Sequence, residues 1–272
     1  MIVFPNCKIN LGLNIISKRD NGYHNIESVL FPVKLYDALE ILQGNRQGAQ
    51  LTVTGIPAGN TADNLCVKAY NLLKKHYPQL PGINMHLHKA IPSGAGLGGG
   101  SADAVSVLQL LDSRFSLGIS QKKMQEYALD LGSDCPFFLI NKPCLASGRG
   151  EVLEPLTLSL QGYKILLIHP AIHIPTATAF KQITPSIPEI KIKQAITQPI
   201  ETWKGRLVND FEKIIFTGYP EIKKIKNNLY DQGAVYASMT GSGSTVYGIF
   251  KNDLPLNFPS KHGYFYKLFD TA

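Results

Sequence analysis

The chain has 272 residues, enough for one large domain or two ordinary ones, and its 44% apolar and 17% charged residues exclude an intrinsically disordered protein. No apolar run reaches the roughly eighteen residues of a membrane span, and Met1-Ile2-Val3-Phe4-Pro5 lacks the basic start and apolar core of a signal peptide, so a cytoplasmic protein is expected. The net charge of +7 favours anionic partners, but the lysines are scattered, with no basic block or interleaved aromatics, which argues for a solvated surface rather than a nucleic-acid face.

Residues 2–17 are rich in β-branched and apolar side chains, and Lys18-Arg19-Asp20-Asn21-Gly22 is strong turn chemistry, so a hairpin with residues 23–30 is expected. Residues 39–42 and 51–54 read as short strands. Leu65, Ala69, Leu72 and Leu73 recur at helical spacing, with Thr61 or Asp63 as cap and Pro78 as stop. From Ile83 to His88 apolar and polar residues alternate, which places Ile83, Met85 and Leu87 on a buried face and His86 and His88 opposite.

This strand leads into Pro92-Ser93-Gly94-Ala95-Gly96-Leu97-Gly98-Gly99-Gly100-Ser101-Ala102-Asp103. So many glycines free the backbone for positive φ and for close approach to a ligand, and a helix starting near Ser101 would aim its unpaired N–H groups at an anion. A phosphate cradle is the functional reading; a pliant surface turn is the alternative. No lysine follows in the P-loop position, and the acidic residue of dinucleotide folds is missing, so the loop is of another kind.

The following helix buries Ala104, Val105, Leu108 and Leu111, and the next runs from Ser120 through Met124, Tyr127, Ala128 and Leu131 to a stop at Gly132. A domain boundary is placed near Gly150. Beyond it, residues 162–169 form a buried strand, residues 183–199 a connection, residues 207–215 and 221–229 helices, and residues 234–250 and 264–269 strands around Thr240-Gly241-Ser242-Gly243-Ser244.

The four cysteines, Cys7, Cys66, Cys135 and Cys144, have no close pairing, so they read as reduced and without zinc. His86 and His88 lack a third ligand at suitable spacing and read as a polar face. Lys8 is the only cation in its apolar strand, and Asp134 lies just past a helix stop beside Pro136. Isolated charges are costly to bury unless paired, so the two would satisfy each other. The pair is either a structural salt bridge or a base and its cation, the carboxylate taking a proton from a substrate hydroxyl while the ammonium neutralises a moving phosphoryl group.

Three blocks in order, Pro5-Asn6-Cys7-Lys8-Ile9-Asn10-Leu11, Pro92 to Ala102 and Met239-Thr240-Gly241-Ser242-Gly243-Ser244, resemble the signature of the GHMP kinases, the superfamily of galactokinase, homoserine kinase, mevalonate kinase and phosphomevalonate kinase. The Gly-Leu-Gly-Gly-Gly-Ser form of the loop, Asn21-Gly22-Tyr23-His24, Leu131 to Phe138 and Gly148-Arg149-Gly150-Glu151 are most similar to the branch whose acceptor is a cytidine diphosphate methylerythritol. The resemblance spans most of the chain, apart from residues 183–200 and the final stretch.

It implies an α+β fold of two domains: residues 1–150 as an ATP-binding domain similar to a ribosomal protein domain, and residues 151–272 as a ferredoxin-like α/β domain on the substrate side. The implied reaction is ATP-dependent phosphorylation of the acceptor's 2-hydroxyl, in the non-mevalonate (methylerythritol phosphate) route to isoprenoid precursors. The implied roles are Asp134 as base, Lys8 as its partner, Pro92 to Ala102 around the ATP phosphates, and Asn10 against the acceptor. Tyr23 would stack on the cytosine, His24 would bond its edge, and Phe180 would form a second aromatic wall, a buried helix Phe being the alternative. Magnesium is implied with ATP; Ala102 stands where many members carry a second small hydroxyl residue, which leaves Ser101 as the candidate ligand. Asn21 replaces a more usual Asp, and both residues suit that turn. Two competing readings remain. A homoserine or mevalonate acceptor would offer no base to Tyr23 and His24, and a non-catalytic RNA-binding module would not need Lys8, Asp134 and the glycine loop together.

Overall fold

The computed structural model describes residues 1–57, 63–253 and 261–271, and these form two compact units. Unit one comprises residues 1–8, 32–93 and 98–141; unit two comprises residues 9–31, 94–97 and 142–272.

Unit one is built on β1 (Ile2–Val3), β4 (Ala38–Gln43), β5 (Ala49–Gly55) and β6 (Ile83–Lys89), in the order β1-β4-β6-β5. Only the β5–β6 pairing is parallel. The alternation expected for β6 holds: Ile83, Met85 and Leu87 are buried beside Leu39 and Ile41 of β4, while His86 and His88 face outward and share Thr54 of β5 as a hydrogen-bond neighbour. Four helices complete the unit: α1 (Leu65–His76), α2 (Gly99–Phe115), α3 (Gln121–Leu131) and α4 (Cys135–Ile140), with α2 packed against the other three.

The helix ends differ in detail from expectation. The side chain of Asn64, not Asp63, caps α1 by accepting from the Cys66 N–H, and Thr61 lies outside the described residues. Helix α2 begins at Gly99, two residues before Ser101, because Gly98 turns left-handed (φ 71°) and brings the chain in as N-cap. Ser120 caps α3 as expected, and Gly132 ends it.

Unit two contains an antiparallel sheet of β9 (Tyr163–His169), β10 (Tyr236–Met239), β11 (Val246–Lys251) and β12 (Phe265–Asp270), ordered β10-β11-β9-β12. Ile222, Ile225 and Leu229 recur at helical spacing on α8 (Pro220–Asp231) and pack into a core with Leu166, Ile168, Val246 and Phe250. The connection at residues 183–199 holds a short helix, α6 (Ile192–Ile196), whose Ile192, Ala195 and Ile196 are buried. The helix expected at residues 207–215 starts later, as α7 (Glu212–Gly218), because Asn209 and Asp210 are held by other partners: Asn209 donates to the carbonyls of Met239 and Gly241, and Asp210 accepts from the Ile15 N–H.

A third sheet has the order β2-β3-β7-β8, from β2 (Asn6–Lys18), β3 (His24–Tyr36), β7 (Cys144–Ser147) and β8 (Val152–Pro155). Its first two strands are the expected hairpin, closed by the Arg19 N–H donating to Tyr23 O and the Gly22 N–H to Arg19 O.

Candidate functional site

In unit one Lys8 is buried on β2, its Nζ 3.3 Å from Oδ2 of Asp134, whose own side chain stays 42% exposed. Asp134 occupies the N-cap of α4, yet its carboxylate caps nothing, and Pro136 supplies the helical φ of that first turn. The carboxylate is thus presented rather than consumed. Gly98 closes over the same lysine: a Cβ there would lie 3.2 Å from Lys8 Cε and 3.1 Å from Phe138 Cζ of α4. Helix α2 begins one residue later, and its N-cap, Gly98, brings no side-chain hydrogen bond to the first-turn N–H groups that an anion would take.

Ser101, in that first turn, lies close enough to the Cys135 thiol, next to Asp134, to favour its thiolate, but burial outweighs this. Burial pushes the thiols of Cys7 and Cys135 up to about 12, so neither is a thiolate near neutral pH. No group of three or more His, Cys, Asp or Glu among the described residues could hold a metal ion. A magnesium ion here fits only as a companion of substrate phosphates, with the Ser101 hydroxyl as a protein oxygen within reach of Asp134's helix.

The same unit holds a second lysine–carboxylate group, which the motifs do not point to. Lys89, at the end of β6, donates to Asp37 Oδ2 and, at 2.8 Å, to Asp103 Oδ2 of α2, and all three side chains are sealed from solvent. Asp37 Oδ1 also accepts from the Ala90 and Ile91 N–H groups, at 2.6 and 2.8 Å. Burial alone would lower the Lys89 ammonium, but the two carboxylates outweigh it and hold the group above its ordinary value. Burial, with the Asp37 charge adding to it and Lys89 opposing, lifts the Asp103 carboxyl to about 7. Asp103 Oδ1 has no hydrogen-bond partner.

In unit two the rest of the glycine stretch meets the third block. Gly94 and Gly96 are left-handed (φ 64° and 78°), and a Cβ on Gly96 would stand 2.2 Å from Thr240 O, so only glycine fits. Thr245 N–H donates to Ala95 O, and Thr240 Oγ1 lies 3.1 Å from Gly96 O. Asn10 is buried beside this turn: its Oδ1 accepts from the Gly241 N–H at 3.0 Å, and its Nδ2 donates to Ser28 Oγ at 2.8 Å.

Tyr23 is half exposed at the end of the hairpin turn, its N–H donating to Asn21 Oδ1. His24 is buried, its ring stacked on Phe180 of α5 (Thr176–Gln182) with centroids 5.1 Å apart; Phe180 in turn meets Phe211 edge-on. Burial, then the Lys18 charge, lowers the His24 pKa, so the ring is neutral near pH 7 with one nitrogen donating and one accepting. The structure therefore joins Lys8 with Asp134, the two glycine blocks with Asn10, and His24 with Phe180.

Residues 64–142 match the model of the GHMP kinases N terminal domain, and residues 194–257 that of the GHMP kinases C terminal domain. The chain is 50% identical over 253 residues, 92% of each protein, to 4-diphosphocytidyl-2-C-methyl-D-erythritol kinase of Bacteroides fragilis. It is 51% identical over 254 residues, again 92% of each, to the kinase of that name from Bacteroides thetaiotaomicron. Among solved structures it resembles a 4-(cytidine 5'-diphospho)-2C-methyl-D-erythritol kinase, with a TM-score of 0.76 and 29% identity over 91% of this chain and 89% of that one. The mevalonate kinase of Methanococcus jannaschii, at a TM-score of 0.70 and 12% identity over 93% of this chain and 92% of that one, shares the fold.

Proposed function

The chain belongs to the 4-diphosphocytidyl-2-C-methyl-D-erythritol kinases of the GHMP superfamily and is a small-molecule kinase, and we propose that it phosphorylates the 2-hydroxyl of that cytidylyl alcohol from ATP. In this reading Asp134 takes the hydroxyl proton as the oxygen attacks the γ-phosphorus and the bond to ADP breaks; Lys8 pairs with the carboxylate and offsets charge on the phosphoryl group. The carrying observation is the half-exposed Asp134 carboxylate, unused as a cap and 3.3 Å from a buried ammonium. A purely structural pair would gain nothing from leaving its carboxylate open.

Pro92 to Ala102 takes the ATP phosphates, for which the uncapped start of α2 is the support. When bound with ATP, magnesium would neutralise phosphate charge, with Ser101 its protein ligand. Tyr23, His24 and Phe180 take the cytosine, and Asn10, besides holding the Gly241 turn, contacts the acceptor. Residues 1–150 then carry the ATP site together with Asn10, Tyr23 and His24, residues 151–272 add Phe180 on the substrate side, and the enzyme works in the cytoplasm on precursors of isoprenoids. No described helix is long and apolar enough to cross a membrane.

ATP consumption measured with the cytidylyl alcohol, mevalonate and homoserine in parallel tests the proposal. Turnover with the cytidylyl alcohol alone is expected; preference for either of the others would overturn it.

A further inference from the structure

Gly148-Arg149-Gly150-Glu151, the turn between β7 and β8, is distinctive in the sequence yet has no part in the chemistry above. In unit two it is a rigid piece of backbone. Gly148 is left-handed (φ 70°), and a Cβ there would sit 2.5 Å from Glu151 Oε2. That carboxylate folds back to accept from the Arg149 N–H at 2.6 Å, while Gly150 N–H donates to Ser147 O at 3.0 Å. Gly148 O accepts from the Ile26 N–H at 2.7 Å, which ties the turn to β3 two residues beyond His24.

What the turn presents is Arg149. Its guanidinium carbon lies 4.8 Å from the centroid of the Tyr23 ring, within the range of a cation–π contact. Glu151 stands 4.0 Å from Arg149 Nε and 3.9 Å from Arg19 Nη1, so one carboxylate steadies two arginines. Arg19 in turn donates to Asn25 Oδ1 and, through its backbone N–H, to Tyr23 O. Tyr23 is thus fixed at its backbone by one arginine and at its ring by the other, while half of the residue remains exposed.

We propose that Arg149 is a positioning residue for the nucleotide half of the acceptor: it covers one face of Tyr23 and holds the ring ready for the pyrimidine to stack on the other. An aromatic side chain at a turn, left to itself, samples several rotamers, and ordering it on binding costs affinity that a pre-set ring retains. A guanidinium suits this task because its plane can lie on the ring while its edge stays paired with Glu151. The inference rests on the reading of Tyr23 as the base-stacking residue.

The test measures cytidine 5'-diphosphate binding, and KM for the acceptor and for ATP, in Arg149→Met, Arg149→Lys, Tyr23→Leu and the double variant Arg149→Met with Tyr23→Leu. Exposed to partly desolvated cation–π contacts correspond to about three- to tenfold in affinity, so Arg149→Met should weaken cytidine diphosphate and raise the acceptor KM by that factor. The ATP KM should not move, and Arg149→Lys, which keeps a cation, should recover part of the loss. In the Tyr23→Leu background the arginine should no longer matter. Unchanged nucleotide affinity in Arg149→Met, or equal losses for ATP and acceptor, would overturn the inference. If Arg149→Met folds poorly, an undiminished arginine effect in folded Tyr23→Leu protein, read from Arg149→Lys, would do the same. Tyr23→Leu without effect on cytidine diphosphate would instead remove the base-stacking reading itself.

Discussion

Among its described residues unit one pairs two buried lysines, Lys8 and Lys89, with carboxylates, and the two groups, built from the same chemistry, are set to opposite purposes. Lys89, Asp37 and Asp103 are all sealed, and their hydrogen bonds run to one another and to the Ala90 and Ile91 amides. Lys8 is equally buried, but its partner Asp134 is 42% exposed and tied to no cap. A closed group can only hold elements together: here it joins the entrance of β4, the end of β6 and the second turn of α2. An open carboxylate on a buried cation has a fixed position and a free edge, which is what proton abstraction from an incoming hydroxyl needs. The distinction lies in solvent access rather than in residue type.

The largest expected difference is in turnover. Asp134→Asn keeps the shape and removes the base, so steady-state turnover should fall by roughly 10²- to 10⁴-fold. Its unfolding free energy should fall by less than the several kcal/mol of a fully sealed pair, because Asp134 is partly open to water and the asparagine oxygen stays beside the buried Lys8. If instead stability fell by several kcal/mol while turnover per folded molecule held, the two groups would be alike and the base assignment would fail.

Lys89→Met reverses the pattern. Removing the only cation from two sealed carboxylates should cost about 3–5 kcal/mol in denaturant unfolding. Adding Asp103→Leu to Lys89→Met should return most of that, because buried charges can be exchanged for apolar side chains at little net cost, and Asp37 keeps its two amide donors. A single variant as stable as the parent would mean that the group is wetter than its geometry implies.

The open group is legible in the sequence; the sealed one belongs to no motif, although the sequence carries a signal for it. Lys8 stood out as the lone cation in an apolar strand, and Asp134 as a charge after a helix stop. Lys89 follows His88 in an alternating strand, where period two places it on the same face as Ile83, Met85 and Leu87. Extending the alternation by one residue would have shown a lysine pointing into the core. Asp103 lies four residues before the buried Val107, on the buried side of α2, but the glycines before it made the register of the helix uncertain. The start of α2 lies two residues before the expected Ser101 for the same reason: helix propensity disfavours Gly99 and Gly100, and tertiary packing, with Ile91 against Gly99, makes them helical. The aromatic pair His24 and Phe180 could be named from motif resemblance alone, since 156 positions separate them in the chain and no local pattern links them.

The smallest expected effect concerns the proton on Asp103, and it tests how closed the sealed group is. Its carboxyl is lifted to about 7 in the folded chain from an ordinary value of 3.8, with burial the main cause. Between those values the folded state keeps a proton that the unfolded chain gives up, so the folded state binds more protons and stability must fall as pH rises from about 4 to 7. Above 7 both states are ionised and this contribution is constant at its least favourable. Asp103→Asn is neutral throughout and should lack the slope, so the stability of the parent relative to the variant should decline across that window and then level off. Denaturant unfolding at several pH values, with both chains measured in the same buffers, reads the difference directly. The unpartnered Oδ1 supports the expected sign, because an ionised oxygen with neither solvent nor donor is poorly stabilised. If the parent gained on the variant across the same window, Asp103 would be ionised against Lys89 well below neutral pH. The triad would then admit water, and exposure would no longer separate the two lysine groups.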